Sequence, residues 1–400
     1  MGTAAGVGNR CGAIGSRPVS GTVGILLFIA TLIVMIMIHE AGHMTAARAF
    51  GMKVEEYFFG FGPRIFSFRR GETEYGMKAI PAGGYVKIAG MNPYLTVPES
   101  DLPRTFGAKP AWQRAIVLSA GSATHFLVAA LLLTFSFAVL GVPGHATTTL
   151  QSVSATAGKL NGQAGPAEKA GLKPGDRIVA IDGNAIAKWE DLQNYIKARP
   201  GVPVTVRVDR GGQLLSFEVT PEQVTDANNH PIGRIGVSPR ITQTREGLPS
   251  AAWDGVKGVG SAIADSVQAV VRLFSPHGIG QVVSSVTGSR NAAQGSGGDQ
   301  AVGLVGGARL AGQAVQTGQA QALVKLLVLF IVFLGVVNLA PLPPLDGGHL
   351  AVLAIEKLRG RPVDPRKVVP VAAFVLSLIV VLSVVVMYAD IIHPAANPFQ

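Results

Sequence analysis

Four long apolar runs constrain the fold of this chain more than any other feature of its sequence. They lie at Val23–Ala47, Ala115–Val142, Ala322–Ala340 and Val368–Met387. Each has about the length that a helix needs to cross roughly 30 Å of hydrocarbon. Charged residues make up only 14% of the 400 residues, against about 25% in soluble domains. The composition excludes a disordered, fibrous or ordinary soluble protein and favours one that crosses a membrane several times.

Cysteine content and net charge exclude two further classes. The single cysteine, Cys11, can form neither an internal disulfide nor a cysteine-based zinc site. The net charge of +10 is compatible with nucleic-acid binding, but the basic residues cluster beside the apolar runs, where they set membrane orientation. We therefore expect no nucleic-acid partner.

The basic residues also predict the orientation of the chain. The loop between runs one and two and the loop between runs three and four are rich in Lys and Arg, whereas the segment before run one has only Arg10 and Arg17. The positive-inside rule then places both loops in the cytoplasm. Both termini and the long segment after run two are expected outside. The loop residues are Lys53, Arg64, Arg69, Arg70, Lys78, Lys87, Arg104 and Lys109, then Lys357, Arg359, Arg361, Arg366 and Lys367.

The first run contains His39-Glu40-Ala41-Gly42-His43. Histidines four residues apart share one face of a helix, so His39 and His43 can bind one metal ion. Glu40 then stands beside the ion, where it can act as a general base on water, as in other HExxH sites. Ionisable groups inside a membrane span are costly and usually mark function. Two interfacial histidines that bind no metal are the alternative.

A catalytic zinc site needs a third protein ligand, and the best candidate lies at the end of the third run. There Asn338-Leu-Ala-Pro-Leu-Pro-Pro-Leu-Asp-Gly-Gly-His349 breaks the helix with prolines. Asp346 can ligate the metal, and it can also serve as the N-cap of a following helix. His349 is a further possible ligand, but we expect it to be structural. On the predicted topology, Asp346 and the two histidines lie at the same membrane depth.

Together these motifs resemble the site-2 proteases, a family of zinc intramembrane metalloproteases, and in particular the bacterial regulator-of-sigma-E-protease-like branch that cleaves anti-sigma factors. The resemblance rests on HEAGH, on NLAPLPPLDGGH at 338–349, on GFGP at 60–63 and on IPAGGYVK at 80–87. It implies Zn²⁺ as cofactor, His39, His43 and Asp346 as metal ligands, and Glu40 as the catalytic residue.

The resemblance also implies where substrate binds. It assigns substrate handling to Asn338 and Pro343, and it places β-hairpins that dip into the membrane between GFGP and GGYVK. An extended substrate can pair with such a β edge, so Gly83, Gly84 and Tyr85 are candidate substrate-binding residues. Ile65–Phe68 and Tyr75–Ala79 are predicted strands around the turn Arg70-Gly71. A hairpin without a catalytic role is the alternative.

The second run departs from the family pattern. Where the family often has GPxxN, this chain has Gly121-Ser-Ala-Thr-His125. Ser122 replaces the proline and His125 the asparagine. We expect His125 to be a packed, hydrogen-bonded histidine, and a metal ligand is the alternative.

The segment Gly165–Gly183 closely resembles bacterial PDZ domains, which bind peptide ends by strand addition. Whether this domain binds a peptide or only blocks access stays open. An amphipathic helix is predicted from Trp253 to Phe274, lying on the membrane or under the PDZ-like domain, with core packing as the alternative. Gly288–Gly298 is a predicted linker. The predicted regions are a tail at 1–22, the first span at 23–50, a cytoplasmic-side loop with hairpins at 51–110, the second span at 111–142, a PDZ-like domain at 147–222, an extracytoplasmic linker at 223–320, the third span with the LDG motif at 321–360, the fourth span at 367–390 and a tail at 391–400.

The expected fold is an α-helical polytopic membrane protein with four transmembrane helices, a re-entrant β-hairpin region and an extracytoplasmic α+β PDZ-like domain. The expected function is zinc-dependent cleavage of a transmembrane segment of single-span proteins such as anti-sigma factors, after a first extracytoplasmic cut, in a bacterial plasma membrane. The alternatives are a PDZ-containing adaptor with a structural zinc and a zinc transporter. An adaptor has no need of Glu40, and a transporter needs ligands spread across the bilayer.

Overall fold

A computed structural model of the chain describes residues 21–92, 94–153, 164–225, 230–273, 275, 280 and 303–392. The predicted linker at Gly288–Gly298, Cys11 and most of both predicted tails lie outside this part. Contacts divide the chain into two compact units, residues 1–125 with 301–399 and residues 126–300. We describe each unit by itself.

The first unit is helical and carries most of the apolar sequence. Across the described residues, four helices are long and apolar enough to cross a membrane, at Gly21–Ala49, Ala111–Leu140, Ala320–Asn338 and Arg366–Ile392. Each contains one of the four predicted runs or nearly all of it. The helices that contribute to this unit are α1 (Gly21–Ala49), α2 (Ala111–Phe135), α6 (Leu304–Gln316), α7 (Ala320–Asn338), α8 (Asp346–Arg359) and α9 (Pro365–Ile392).

Glycines allow α1 to pack closely on two neighbours. A Cβ at Gly24 would lie 2.7 Å from Gly312 Cα of α6, and a Cβ at Gly42 would lie 2.7 Å from Ala120 O of α2. Small residues at such points let helix backbones approach within a membrane. The short helix α6 was not predicted from the sequence, which assigned residues 223–320 to a linker.

The loop after α1 forms a two-stranded sheet of β1 (Val54–Arg70) and β2 (Thr73–Ile88). The two predicted strands lie inside these longer ones, and the turn falls at Gly71, as predicted. Several register shifts bend the ribbon, so that β1 pairs both with residues 84–88 and with residues 73–78 of β2. Tyr57 of β1 donates a hydrogen bond to Met37 O of α1 over 2.6 Å, which holds the sheet against that helix.

The chain breaks between α7 and α8, as the prolines predict. Helix α8 begins at Asp346, and its N-cap residue is Leu345. The N-cap alternative for Asp346 is therefore wrong, because this residue stands one position inside the helix and its carboxylate points elsewhere. Gly348 at the start of α8 lets the helix pack against the backbone of the preceding loop, since a Cβ there would lie 2.6 Å from Pro343 Cα.

The second unit contains a six-stranded sheet with the order β10-β3-β4-β6-β7, with β5 paired to β4. The pairing of β10 with β3 extends this sheet beyond residue 222, where the predicted PDZ-like domain ends. The elements are β3 (Val142–Val153), α3 (Pro166–Lys169), β4 (Arg177–Ile181), β5 (Asn184–Ala185), α4 (Trp189–Lys197), β6 (Val204–Arg210), β7 (Gln213–Val219), β8 (Glu222–Thr225), β9 (Pro231–Arg234), β10 (Val237–Thr244) and α5 (Leu248–Leu273).

One buried ion pair joins two elements of this unit. Asp176 is 1% exposed in its side chain, and Arg210 donates to it from Nε over 2.6 Å and from Nη2 over 2.8 Å. Burial raises the pKa of Asp176, but the Arg210 hydrogen bond and the Lys173 amide outweigh it, so that the pKa falls below its ordinary value. The carboxylate is buried in its charged form because the chain supplies a cation for it.

The predicted amphipathic helix corresponds to α5. Its small-residue face packs on the last turns of α2, where a Cβ at Gly255 would lie 2.8 Å from Thr134 Oγ1. Val259 is buried, whereas Trp253, Val256 and Val271 are exposed. One part of the predicted apolar face is thus buried, and the other part is exposed on the surface of the unit. Phe274, the predicted end of this face, lies outside the described residues.

Candidate metal centre

Helix α1 places His39 and His43 one turn apart on one face. Both side chains are buried, with 8% and 7% exposure, and their Nε2 atoms lie 3.1 Å apart. His43 Nδ1 lies 2.7 Å from Val117 O of α2. A carbonyl oxygen only accepts, so Nδ1 carries the proton and the Nε2 lone pair of neutral His43 faces the other ring.

Asp346 completes the group from the start of α8. Its Oδ2 lies 3.1 Å from His39 Nε2 and 3.2 Å from His43 Nε2. In the described part of the chain, these three residues are the group whose ligand atoms could hold a metal ion. A carboxylate oxygen and two imidazole nitrogens at such distances require a positive charge among them, either a proton or a metal ion.

The spacing of the three atoms fits zinc. Ligands bound tetrahedrally at 2.0–2.1 Å lie about 3.3–3.4 Å from one another, close to the distances of 3.1–3.2 Å seen here. Two histidines and one carboxylate leave one position of a tetrahedral ion free, as catalytic zinc sites do. The residues present therefore fit a catalytic zinc ion.

Glu40 lies beside this group and faces the β1–β2 sheet. Val86 of β2 is close enough for its backbone amide to act on the Glu40 carboxylate. Burial, followed by the charge of Glu40, raises the pKa of Tyr57 to about 12. Glu40 thus stands next to His39 without belonging to the three-residue group.

Helix α2 supplies two residues at the centre, and sequence reasoning missed the role of one. A Cβ at Gly121 would overlap His43 Nε2 and lie 2.6 Å from His39 Cε1, so only glycine leaves room for the two rings. His125, one turn later, is fully buried, with its Nδ1 2.9 Å from Ile331 O. It lies outside the three-residue group, which confirms the prediction of a packed, hydrogen-bonded histidine.

The predicted substrate residues lie at two places near these helices. Gly84 of β2 packs on α1, since a Cβ there would lie 3.2 Å from Met37 Sδ, whereas Gly83 faces Phe61. The Tyr85 hydroxyl donates to Glu56 and accepts from Lys78 over 2.6 Å.

Asn338 is the last residue of α7, and the peptide bond between Pro343 and Pro344 is cis. Both residues border the break that leads to Asp346. His349, one turn into α8, is exposed and lies outside the three-residue group.

Residues 27–384 match the model of peptidase family M50. The chain belongs to this family, the site-2 proteases. It is 31% identical over 409 residues to the zinc metalloprotease Rip1 of Mycolicibacterium smegmatis, with 93% of this chain and 98% of the relative covered. It is 28% identical over 443 residues to the regulator of sigma-W protease RasP of Bacillus subtilis, with 92% and 98% covered.

Solved structures also match a part of this M50 chain. The PDZ domain of the SdrC-like protein of Listeria monocytogenes has 22% identity and a TM-score of 0.18, covering 24% of this chain and 88% of that domain. A score this low carries no argument about fold. Family membership establishes that the chain is a zinc-dependent intramembrane metalloendopeptidase and a membrane protein.

Proposed function

We propose that His39, His43 and Asp346 hold the zinc ion and that Glu40 is the catalytic base of this M50 protease. The observation that carries the proposal is the convergence of three ligand atoms from α1 and α8, within 3.2 Å of one another, beside a carboxylate that is not one of them. When bound, zinc supplies a Lewis acid that polarises the scissile carbonyl and makes water more acidic.

The carboxylate of Glu40 performs the proton transfers in this mechanism. It takes a proton from the attacking water and then delivers it to the nitrogen of the leaving amine. Val86 of β2 and Tyr57 of β1 lie on one side of this carboxylate. The two histidines are buried and the Asp346 side chain is 18% exposed, which leaves the carboxylate side of the group open to water.

The substrates are proposed to be transmembrane segments of single-span membrane proteins of the anti-sigma-factor class. The name of the relative RasP, regulator of sigma-W protease, supports this class. A helix hides its carbonyls in its own hydrogen bonds, so a substrate must become extended before it is cut. Gly83, Gly84 and Tyr85 on β2, with Asn338 and Pro343 at the break after α7, are the proposed contacts for the extended segment.

We further propose the orientation that the basic loops predict, with both termini and the PDZ-like domain outside and the zinc site towards the cytoplasm. The lone Cys11 reports on the N-terminus. A membrane-impermeant maleimide should label it in sealed right-side-out vesicles. Labelling that requires opening of the vesicles would place the N-terminus inside.

The PDZ-like domain is proposed to exclude substrates with bulky ectodomains until a first protease has shortened them. Deletion of residues 150–221 should leave zinc bound and permit cleavage of substrates that keep large ectodomains. A folded deletion variant without any activity would contradict this gating role.

The substitution Glu40→Gln tests the catalytic role directly. It keeps the size of the side chain and removes its basic oxygen. We expect normal zinc content and a loss of cleavage of at least about 10²-fold, the lower range for general acid–base catalysis. The assay follows a single-span substrate in liposomes, and uncleaved substrate should co-purify with the variant.

The matched control is Glu99→Gln, at an exposed glutamate of the short 3₁₀ helix Glu99–Arg104, which should cleave at the wild-type rate. Wild-type turnover by Glu40→Gln would reject the mechanism. A photocrosslinker at position 83 in the Glu40→Gln chain should capture the trapped substrate, and the absence of crosslinks would remove β2 from the proposed substrate path.

A further inference from the structure

The two proposed histidine ligands differ in the hydrogen bond made by their second ring nitrogen. His43 Nδ1–H donates to Val117 O over 2.7 Å. His39 Nδ1 is buried and has no hydrogen-bond partner within the described residues. A metal-bound histidine almost always donates its other N–H to an acceptor, which fixes the tautomer and the orientation of the ring. His39 therefore lacks one acceptor that a zinc ligand needs.

His125 carries a lone pair that suits this need. Its Nδ1 lies 2.9 Å from Ile331 O, and because a carbonyl only accepts, Nδ1 holds the proton and Nε2 is an acceptor. The side chain is fully buried. Over the ranges that the structure describes, His125 Nε2 has no hydrogen-bond partner either. Leaving a buried acceptor unpaired is unfavourable, so this nitrogen calls for a donor.

The donor and the acceptor lie on rings that already touch. The centroids of His39 and His125 are 5.2 Å apart and the ring planes meet at 74°, an edge-to-face contact. Gly121 keeps α2 close to both zinc-ligand rings, since a Cβ there would collide with them. A hydrogen bond between the two unpaired nitrogens would therefore join two rings that are already in contact.

We propose that His125 Nε2 accepts a hydrogen bond from His39 Nδ1–H and thereby orients His39 for zinc. The proposal rests on the ligand set put forward above. His125 is a positioning residue, because it acts through His39 and lies outside the three-residue group.

The test measures zinc affinity of the full-length chain in detergent, by competition with a chromogenic chelator. His125→Phe keeps a ring of similar volume and removes the acceptor. We expect zinc affinity to fall by about 10–100-fold, the usual effect of losing a ligand's hydrogen-bond partner. His125→Asn restores an acceptor oxygen and should bind zinc within a few-fold of the wild type. Neither variant should lower the thermal unfolding midpoint of the metal-free chain by more than the packing control does.

Phe28→Leu is that control, because Phe28 is buried in the same helical unit. Its ring packs edge-on against Phe330, with the ring centroids 4.9 Å apart. It should lose stability and keep its zinc affinity. Wild-type zinc affinity in His125→Phe, or equal losses in His125→Phe and His125→Asn, would overturn the positioning role alone. A wild-type chain whose zinc does not depend on His39, His43 and Asp346 would overturn the ligand set and this role together.

Discussion

Two aspartates in this molecule, the buried Asp176 and the partly buried Asp346, are compensated in opposite ways. In the β-rich unit, Asp176 is neutralised by Arg210 through two hydrogen bonds from one guanidinium. In the helical unit, Asp346 Oδ2 lies 3.1 Å from His39 Nε2 and 3.2 Å from His43 Nε2. Because His43 Nδ1–H donates to Val117 O, Nε2 of the neutral His43 ring carries a lone pair. The Asp176 carboxylate is neutralised by a guanidinium of the chain itself and has a structural role. The Asp346 carboxylate faces nitrogen lone pairs, so it needs a cation that the chain does not supply.

The largest expected difference is in activity. Asp346→Asn removes the anionic ligand, and we expect no measurable cleavage of a single-span substrate and weak zinc retention. Asp176→Asn should cleave at the wild-type rate, because it breaks a structural pair and leaves the metal centre intact. Its cost should be a local destabilisation of at most about 3 kcal/mol, since Arg210 is partly exposed and keeps some hydration. Equal losses of activity in the two variants would end the distinction between the two aspartates.

A second comparison concerns two glycines. Gly121→Ala places a methyl group against both imidazoles, so we expect zinc affinity and cleavage to fall together by at least about tenfold, as for other disturbances of ligand orientation. Gly260→Ala, on an exposed turn of α5 with open space around it, is the control and should be silent. If Gly121→Ala bound zinc like the wild type, the close approach of α2 would not matter for the metal.

The smallest effect is the pH dependence of the β-rich unit. The pKa of Asp176 is lower in the folded state than its ordinary value, so the folded state binds this proton less readily than the unfolded chain. The stabilisation is fully present above the unfolded pKa of about 3.9 and is lost as pH falls through the lower folded value.

Thermal unfolding between pH 7 and pH 3, followed by Trp189 fluorescence with Trp112 and Trp253 replaced by Phe, measures this dependence. Asp176→Asn should flatten the acid limb of the curve. An unchanged acid limb in that variant would show that other groups carry the dependence.

Much of the site could be predicted from local sequence. His39 and His43 were predicted from their four-residue spacing on a helix, Glu40 from its place in the HExxH pattern, and Asp346 as a polar group beside prolines that break an apolar run. Gly121 could not be predicted this way, because its role arises from contact between α1 and α2. The sequence signal that could have indicated this contact is Gly121 followed by the small residues Ser-Ala-Thr in the second apolar run.

The same limit applies to the fold. The four spans were predicted because the length and apolar composition of a run are local properties. The pairing of β10 with β3 joins residues that are far apart in sequence. Helix α6 is too short to be predicted as a span. Its small residues are needed because Gly24 of α1 packs closely against them, and this contact cannot be read from the sequence.

The measurement that tests the central claim most directly is the zinc content of the purified full-length chain, determined by mass spectrometry of the metal alongside protein quantification. We predict about one zinc per chain in the wild type. In the double variant His39→Ala/His43→Ala we predict almost none, whereas Asp176→Asn should keep the full content. A wild-type chain without zinc, or a double variant that keeps it, would contradict the claim that α1 and α8 form the metal centre.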